Sequence, residues 1–336
     1  MTEAMLPSIK TRQNILAQEG QVSRKESEQT EGIQYQSNCG ENIQNTNLSP
    51  DNIKFVFFDL ETSGFHKSAD ILQIAAKCEE YKFCAYATPT QPIMPKATEI
   101  TGLKIVAGEL FLDDERVQSS PLQKVLREFK EWLAVISKPC ILVAHNATFD
   151  TGYLLRALIN NSMIEDFKNL IVGFSDTLVP LKKLYPQRKG KGMFKLSTLA
   201  QDLLQIELTE NFHEAAYDVE ILEQIASTIP KENLIGNHKS FKESLDHETR
   251  LQKTAKLKRS LNIFKNVISN GMIKKIAEAG INRAKLQDIY EKSGREGIIQ
   301  LLSAKQKDNK PRVTNQKRIL ENIVEFLDTN QSPAMV

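Results

Sequence analysis

An α/β fold, a mixed sheet with helices packed on it, is what this sequence predicts, on three observations. Short apolar runs of strand length recur between Ile53 and Phe174, each bounded by turn residues. The first three follow one another closely, as in an antiparallel meander, and the later ones alternate with helical patterns. Composition changes on both sides of this block. The polar residues 1–50 predict a disordered tail, and residues 231–336 a small, basic α-helical appendage around a central domain at 51–230.

The first strand lies in Lys54–Gly64, KFVFFDLETSG, where the apolar Phe55–Phe58 runs into Asp59 and Glu61. A continuous apolar run of this kind reads as a strand covered on both faces. Asp70–Lys77 and Tyr81–Ala87 read as the second and third strands. Gln91–Leu103 is a proline-punctuated loop ending in a helical turn. Ser120–Ile136 carries Leu122, Val125, Leu126, Phe129, Trp132, Leu133 and Ile136 at helical spacing, with Ser119 or Ser120 as the expected cap and Pro121 in the first turn. Pro139–Ala144 is a further strand, followed by a helix over Thr151–Asn160. Leu170–Phe174 is the next strand, and helices follow up to Leu184, over Leu196–Leu204 and over Glu214–Ser227. Asn233–Glu248 reads as a polar linker. Beyond it come short helices at Leu257–Val267, Met272–Ala279, Leu286–Glu291 and Gly297–Ser303, a basic loop at Asp308–Gln316, and a last helix over Lys317–Leu327.

The 336 residues carry a net charge of only +2, but it is unevenly spread. Residues 1–50 sum to −2, residues 51–230 to −5, and residues 231–336, with 21 Lys/Arg against 12 Asp/Glu, to +9. A basic third beside an acidic block points to a polyanionic partner or to a solubilising face. Cys39, Cys78, Cys84 and Cys140 form no C-x-x-C pair, so neither a zinc site nor a disulfide framework is expected, and a reducing compartment is. No apolar run reaches membrane-span length and no secretory leader is recognised, so no membrane partner is expected and the location expected is intracellular, in nucleus, cytoplasm or both.

Side chains alternate along a strand, so Asp59 and Glu61 point to the same side. Two carboxylates at the end of a buried strand repel each other and lose hydration, and a hard divalent cation relieves both costs. Asp150 follows another buried strand, and Asp218 lies on a helix five residues after His213. Four carboxylates that meet can hold two divalent ions and support an in-line displacement at phosphorus, with the histidine placed to take a proton from water.

The D-x-E of FFDLETSG, the N-x-x-x-D of HNATFD and the H-x-x-x-x-D of HEAAYD are similar, in order, to the three motifs of the DEDDh 3′→5′ exonucleases, the group of the bacterial proofreading subunit and the three-prime repair exonucleases. ILQIAA, TEITGL and SDTL resemble the family as well, and the resemblance covers about 52–230. It implies an RNase H-like mixed sheet flanked by helices. It makes Asp59, Glu61, Asp150 and Asp218 the ligands of two Mg²⁺ or Mn²⁺ ions, and His213 the general base. It places the backbone at Leu60 and Thr62, an apolar contact from Ile100 or Leu103, and Asn146 against the terminal nucleotide or its phosphate. Phe149 is expected in the core. The neighbouring carboxylates are expected to push the His213 pKa up, opposed by bound metal.

The implied activity is metal-dependent release of nucleoside 5′-monophosphates from single-stranded or frayed 3′ ends, DNA favoured over RNA. The alternative is a catalytically weak, exonuclease-like module that binds nucleic acid or acts as a scaffold. A protein partner through 231–336 is a further expectation. PQRKGKGMFKLSTLAQDLL and GIIQLLSAKQKDNK also resemble the exonuclease-like C-terminal part of the longest promyelocytic leukaemia protein isoform, which has lost most of its acids, whereas all five positions are filled here. No RING- or B-box-like cysteine cluster is present, so a stand-alone relative is expected.

Overall fold

The computed structural model describes residues 48–207, 213–307 and 309–330. The expected tail up to Asn47, with Cys39, and the loop residues Asn211 and Phe212 lie outside the described residues.

A seven-stranded mixed sheet forms the centre. Its strands are β1 (Lys54–Thr62), β2 (Ile71–Cys78), β3 (Tyr81–Ala87), β7 (Ser119–Ser120), β8 (Cys140–Ala144), β9 (Ile171–Asp176) and β10 (Lys239–Ser240), in the order β10-β9-β8-β1-β2-β3-β7. β1 pairs antiparallel with β2 and parallel with β8, and β8 is parallel to β9. Strands and helices together make the RNase H-like architecture, a mixed sheet flanked by helices.

Alternation along β1 sorts its residues between two cores. Val56, Phe58 and Leu60 enter the core under α2 (Leu122–Val135) and α3 (Thr148–Asn160), with Phe129 and Leu154. Phe55 and Phe57 face the core that holds Ile221 and Ile225 of α7 (Ala215–Ala226) and Leu199 of α6 (Leu196–Leu204). Asp59 and Glu61 continue this second row. Ala75, opposite Asp59 on β2, packs with Ala215 and Val219. These small residues let the first turn of α7 lie close against the sheet.

Several boundaries differ from the sequence reading. Ser119 and Ser120 do not cap α2; they pair with Tyr86 and Ala87 as β7, and Pro121 occupies the cap position. Between α1 (Pro95–Thr101) and β7 lies a second sheet, β4 (Leu103–Val106), β5 (Glu109–Leu112) and β6 (Glu115–Arg116). The β4–β5 hairpin turns on Ala107 and Gly108, both at positive φ (51° and 83°). That is the conformation of a tight hairpin turn, made here without the Asn-Gly or Asp-Gly pair that announces one.

The stretch read as a linker is folded and packed. Lys231–Gly236 is α8, Lys239–Ser240 is the edge strand β10, and Phe241–Ser260 is a single helix, α9, opened by a Ser240–Glu243 capping box. Gly173 permits the β10 pairing, because a Cβ there would stand 2.3 Å from the Lys239 carbonyl oxygen. Phe241 stacks on Phe174 in the central core, and Glu248 pairs with Arg156 of α3 at 3.0 Å with both largely buried. The far end of α9 enters another core. Leu261 packs there with Phe264, Ile273 and Ile276 of α10 (Asn270–Glu278), Leu286 and Ile298 of α11 (Arg283–Ser303), and Ile323 of α12 (Lys317–Thr329). Leu286–Glu291 and Gly297–Ser303 are two parts of α11, broken at Gly294 (φ 58°, ψ −150°).

Candidate active site

The carboxylates assemble where the sheet runs out of partners. β8 ends at Ala144, so the amide of Leu60 lies beyond the parallel ladder that closes at Phe57–Val143. Asp150, in the first turn of α3, takes the missing place, and its Oδ1 accepts the Leu60 N–H at 3.2 Å. The Leu60 N–H is thus taken up by Asp150. A bulge between Glu61 and Thr62 shifts the register with β2, so that Thr62 pairs with Ile71. The Thr62 hydroxyl donates to the Gly64 carbonyl at 2.8 Å.

Asp59, Glu61 and Asp218 each offer a carboxylate oxygen within 4.8 Å of the others. Asp150 is not among these three; it is buried, and its charge acts on both Asp59 and Glu61. Burial raises the pKa of Asp59 and Glu61 well above the carboxylate range, and the neighbouring acids push further the same way. Burial also pushes Asp150 and Asp218 up to about 7, against backbone N–H donors that pull them back.

One buried oxygen of Asp218, Oδ1, has no hydrogen-bond partner. An orphaned carboxylate oxygen inside a ring of acids costs free energy unless a cation completes it. Hard, all-oxygen donors at this spacing fit Mg²⁺ or Mn²⁺. The residues present therefore fit a divalent cation.

His213 is exposed in a left-handed turn (φ 76°) just ahead of α7. Its backbone N–H reaches the Asp218 carboxylate. Although the residue is exposed overall, its imidazole pKa is lowered from the usual 6.5, first by partial desolvation of the ring and then by the positive charge of Lys195. This corrects the upward shift expected from the carboxylates: the charge that acts on the ring is Lys195, on the Arg188–Lys195 loop before α6.

The substrate-facing positions divide. Asn146 is exposed with φ 61°, and its N–H donates to Asp176 Oδ1 at 3.0 Å, which fixes the turn into α3. Ile100 is half-buried on α1 and keeps surface to offer. Leu103 does not: it is buried with Leu72, Leu110 and Val117 as the start of β4. Phe149 packs half-buried against the central core, its ring 4.6 Å from that of Tyr153.

Four supporting residues were not singled out from sequence. Gln73, buried on β2, accepts the Ala215 N–H at 3.2 Å and so holds the first turn of α7, which carries Asp218. His145 is held neutral by burial. Its Nε2–H donates to the Phe194 carbonyl at 2.6 Å and its Nδ1 accepts from Thr177 at 2.8 Å, which pins the basic loop. The Tyr153 hydroxyl donates to the carbonyls of Gly64 and His66 at 3.2 and 2.8 Å. Phe65 lies within this anchored turn, between Gly64 and His66, and is 57% exposed, an aromatic ring unused by the core. His145 stands in the second motif and Phe65 just after the first, so adjacency was the available signal. Gln73 and Tyr153 sit in ordinary strand and helix patterns and gave none.

Residues 56–226 match the family model described as Exonuclease, and residues 262–330 match that described as PML, C-terminal domain. The chain is 36% identical over 173 residues to DNA polymerase III PolC-type of Bacillus subtilis (strain 168), covering 49% of this chain and 11% of the polymerase. It is 32% identical over 198 residues to the PolC-type polymerase of Listeria innocua serovar 6a, covering 57% of this chain and 12% of that one. The match thus spans about a tenth of the length of these relatives. Among solved structures it is similar to Exonuclease X in complex with 5′ overhanging duplex DNA (18% identity, 52% of this chain, 92% of that chain, TM-score 0.33). It is also similar to E. coli Exonuclease I in complex with a 5cy-dT13 oligonucleotide (14% identity, 83% and 71%, TM-score 0.41).

Proposed function

The chain belongs to the exonuclease family, and from that premise we propose that it is a metal-dependent 3′→5′ exonuclease releasing nucleoside 5′-monophosphates, with DNA favoured. The observation that carries this reading is the unpartnered Asp218 Oδ1 beside Asp59 and Glu61. The preference for DNA rests on the relatives, which are DNA polymerases.

In this reading Asp59, Glu61 and Asp218, whose oxygens lie together, and Asp150, which bears on the same acids, would hold the cations, two per site. When bound, the cations supply Lewis-acid chemistry, lowering the pKa of water and stabilising the leaving oxygen of the displacement. His213 accepts a proton from the attacking water; a lowered imidazole pKa favours the neutral form that a base needs. Gln73 and the Leu60 amide hold the carriers of Asp218 and Asp150 in register with β1. Ile100, Phe65 and Asn146 line the approach for the terminal nucleotide. The match at 262–330 supports a narrower likeness, to the exonuclease-like C-terminal part of promyelocytic leukaemia protein.

The test is incubation of end-labelled DNA and RNA, single- and double-stranded, with Mg²⁺, Mn²⁺ or EDTA. Stepwise shortening from the 3′ end that stops in EDTA is expected. Undiminished hydrolysis in EDTA would overturn the reading, and binding without shortening in either metal would favour a scaffolding module.

A further inference from the structure

Helix α9 changes character along its length. Its first eight residues, Phe241–Glu248, carry Lys242 against Glu243, Asp246 and Glu248 and are rooted in the central core. From Arg250 to Ala277 the chain then has no Asp or Glu at all, while Arg250, Lys253, Lys256, Lys258, Arg259, Lys265, Lys274 and Lys275 supply eight cations. This stretch runs through the second half of α9, the 3₁₀ turn Asn262–Phe264 and most of α10, which share one core. Lys253, Lys256, Arg259, Lys265 and Lys275 are exposed, and among the described residues none of them has an ion pair.

Cations in the last turn of a helix favour its C-terminal dipole, which accounts for Lys258 and Arg259. It does not account for Lys253 and Lys256 one and two turns earlier, nor for Lys265 and Lys275 beyond the helix. Lys253, Lys256 and Arg259 follow at intervals of three, so each is the surface neighbour of the next, about 4.5 Å further along the axis. Unpaired like charges this close repel, and a polyanion relieves that repulsion. The stretch exposes a single large apolar side chain, Ile263, so it lacks the apolar face with which a helix enters a lipid surface.

We propose that the α9–α10 corner is a second nucleic-acid site, on which Lys253, Lys256 and Arg259 grip the sugar–phosphate backbone of the strand whose 3′ end is being cleaved. This choice of polyanion rests on the exonuclease reading. The site carries no base readout; it contributes affinity and retention of long strands.

The test uses the full chain in EDTA, which prevents cleavage, titrated with long oligothymidylate and oligouridylate over a salt series. With K253Q/K256Q/R259Q the slope of log K against log salt is expected to become shallower by about 2, at roughly 0.7 per lost phosphate contact. A loss on either strand supports the site. Single variants K256Q and R259Q, each expected to remove roughly 0.7, keep the test readable if the triple variant is unstable. Neutralising Lys124, Lys130 and Lys168, which are paired with Glu128, Asp166 and Glu165, alters net charge equally and should leave the slope in place. An unchanged slope in the α9 variants, or an equal loss in this control, overturns the proposal. So does binding to phosphatidylserine vesicles, but not to oligonucleotides, that the α9 substitutions abolish. The two readings fail separately: cleavage of short oligonucleotides with an unaltered slope rejects only this site, and a shifted slope in a chain that cleaves nothing rejects only the exonuclease.

Discussion

Each carboxylate of the site is held in a place where its charge is costly, and substitution should show it. Asp218 is buried and Asp59 half-buried among other acids, and loss of hydration raises the pKa of both. Asp218→Asn and Asp59→Asn keep shape and remove one charge. Each is expected to abolish cleavage while holding or raising metal-free stability, by roughly 1–3 kcal/mol. Thermal melts in EDTA beside activity in Mg²⁺ check this, and unfolding of both variants would make the acids structural partners instead. His213 belongs to a different class, exposed and under the positive charge of Lys195. A base must be neutral to act, so activity should rise with pH through a value below the ordinary 6.5 and be level by neutrality. His213→Ala should lower kcat by roughly 10²–10⁴-fold with metal affinity almost unchanged. A pH–rate profile that is the same in both proteins would remove His213 from this role.

Among elements, α9 links the two ends of the described chain. Its Glu248 is 4% exposed and paired with Arg156, whose guanidinium lies 4.5 Å from the centre of the Tyr153 ring. Tyr153 in turn anchors the turn that follows Asp59 and Glu61. Glu248→Ala leaves the Arg156 charge buried without a partner and is expected to cost about 3–5 kcal/mol. Urea unfolding measures it, and a loss under about 1 kcal/mol would mean that water replaces the carboxylate. The double variant with Arg156→Leu should recover most of the loss, since removing both charges leaves neither exposed to the penalty.

At the scale of the molecule, metal and pH act on stability through the same acids. Asp150 and Asp218 titrate at about 7 when folded and near 4 when unfolded. Between these values the folded chain holds protons that the unfolded chain has released. Metal-free stability should therefore fall as pH rises from about 4 to 7, and saturating Mg²⁺ or Mn²⁺ should flatten that fall. A metal-free Tm that climbs across this window would contradict the burial of the acids. Packing also moves the natural end of the central domain. A chain cut after Pro230 loses β10, Phe241 and Glu248, whereas one cut after Ser260 keeps them. The shorter form is expected to melt well below the longer one or to be insoluble, and equal melting temperatures would show α9 to be dispensable.

How much of this was legible from the residues follows from the range of the forces involved. Alternation along β1 is local, so Asp59 and Glu61 could be placed on one face beside Phe55 and Phe57 without coordinates, and the three spaced motifs marked Asp150, His213 and Asp218. The central strands were legible because an apolar run bounded by turns has few other uses. The β4–β6 sheet was not, since Ala107-Gly108 adopts a turn that its residue types do not advertise. The packed state of 233–248 was not either: the sequence there is polar, and its order comes from Phe241 and Glu248 meeting Phe174 and Arg156 far away in the chain. The sequence alone determined which acids and which histidine the chain carries at the motif positions. Only the tertiary structure decided that three acids converge while Asp150 accepts the Leu60 amide, and that the charge of Lys195 acts on His213. Those outcomes depend on where β8 stops and on how closely Ala75 and Ala215 let α7 approach, and contacts between elements, not periodicity within one, set both.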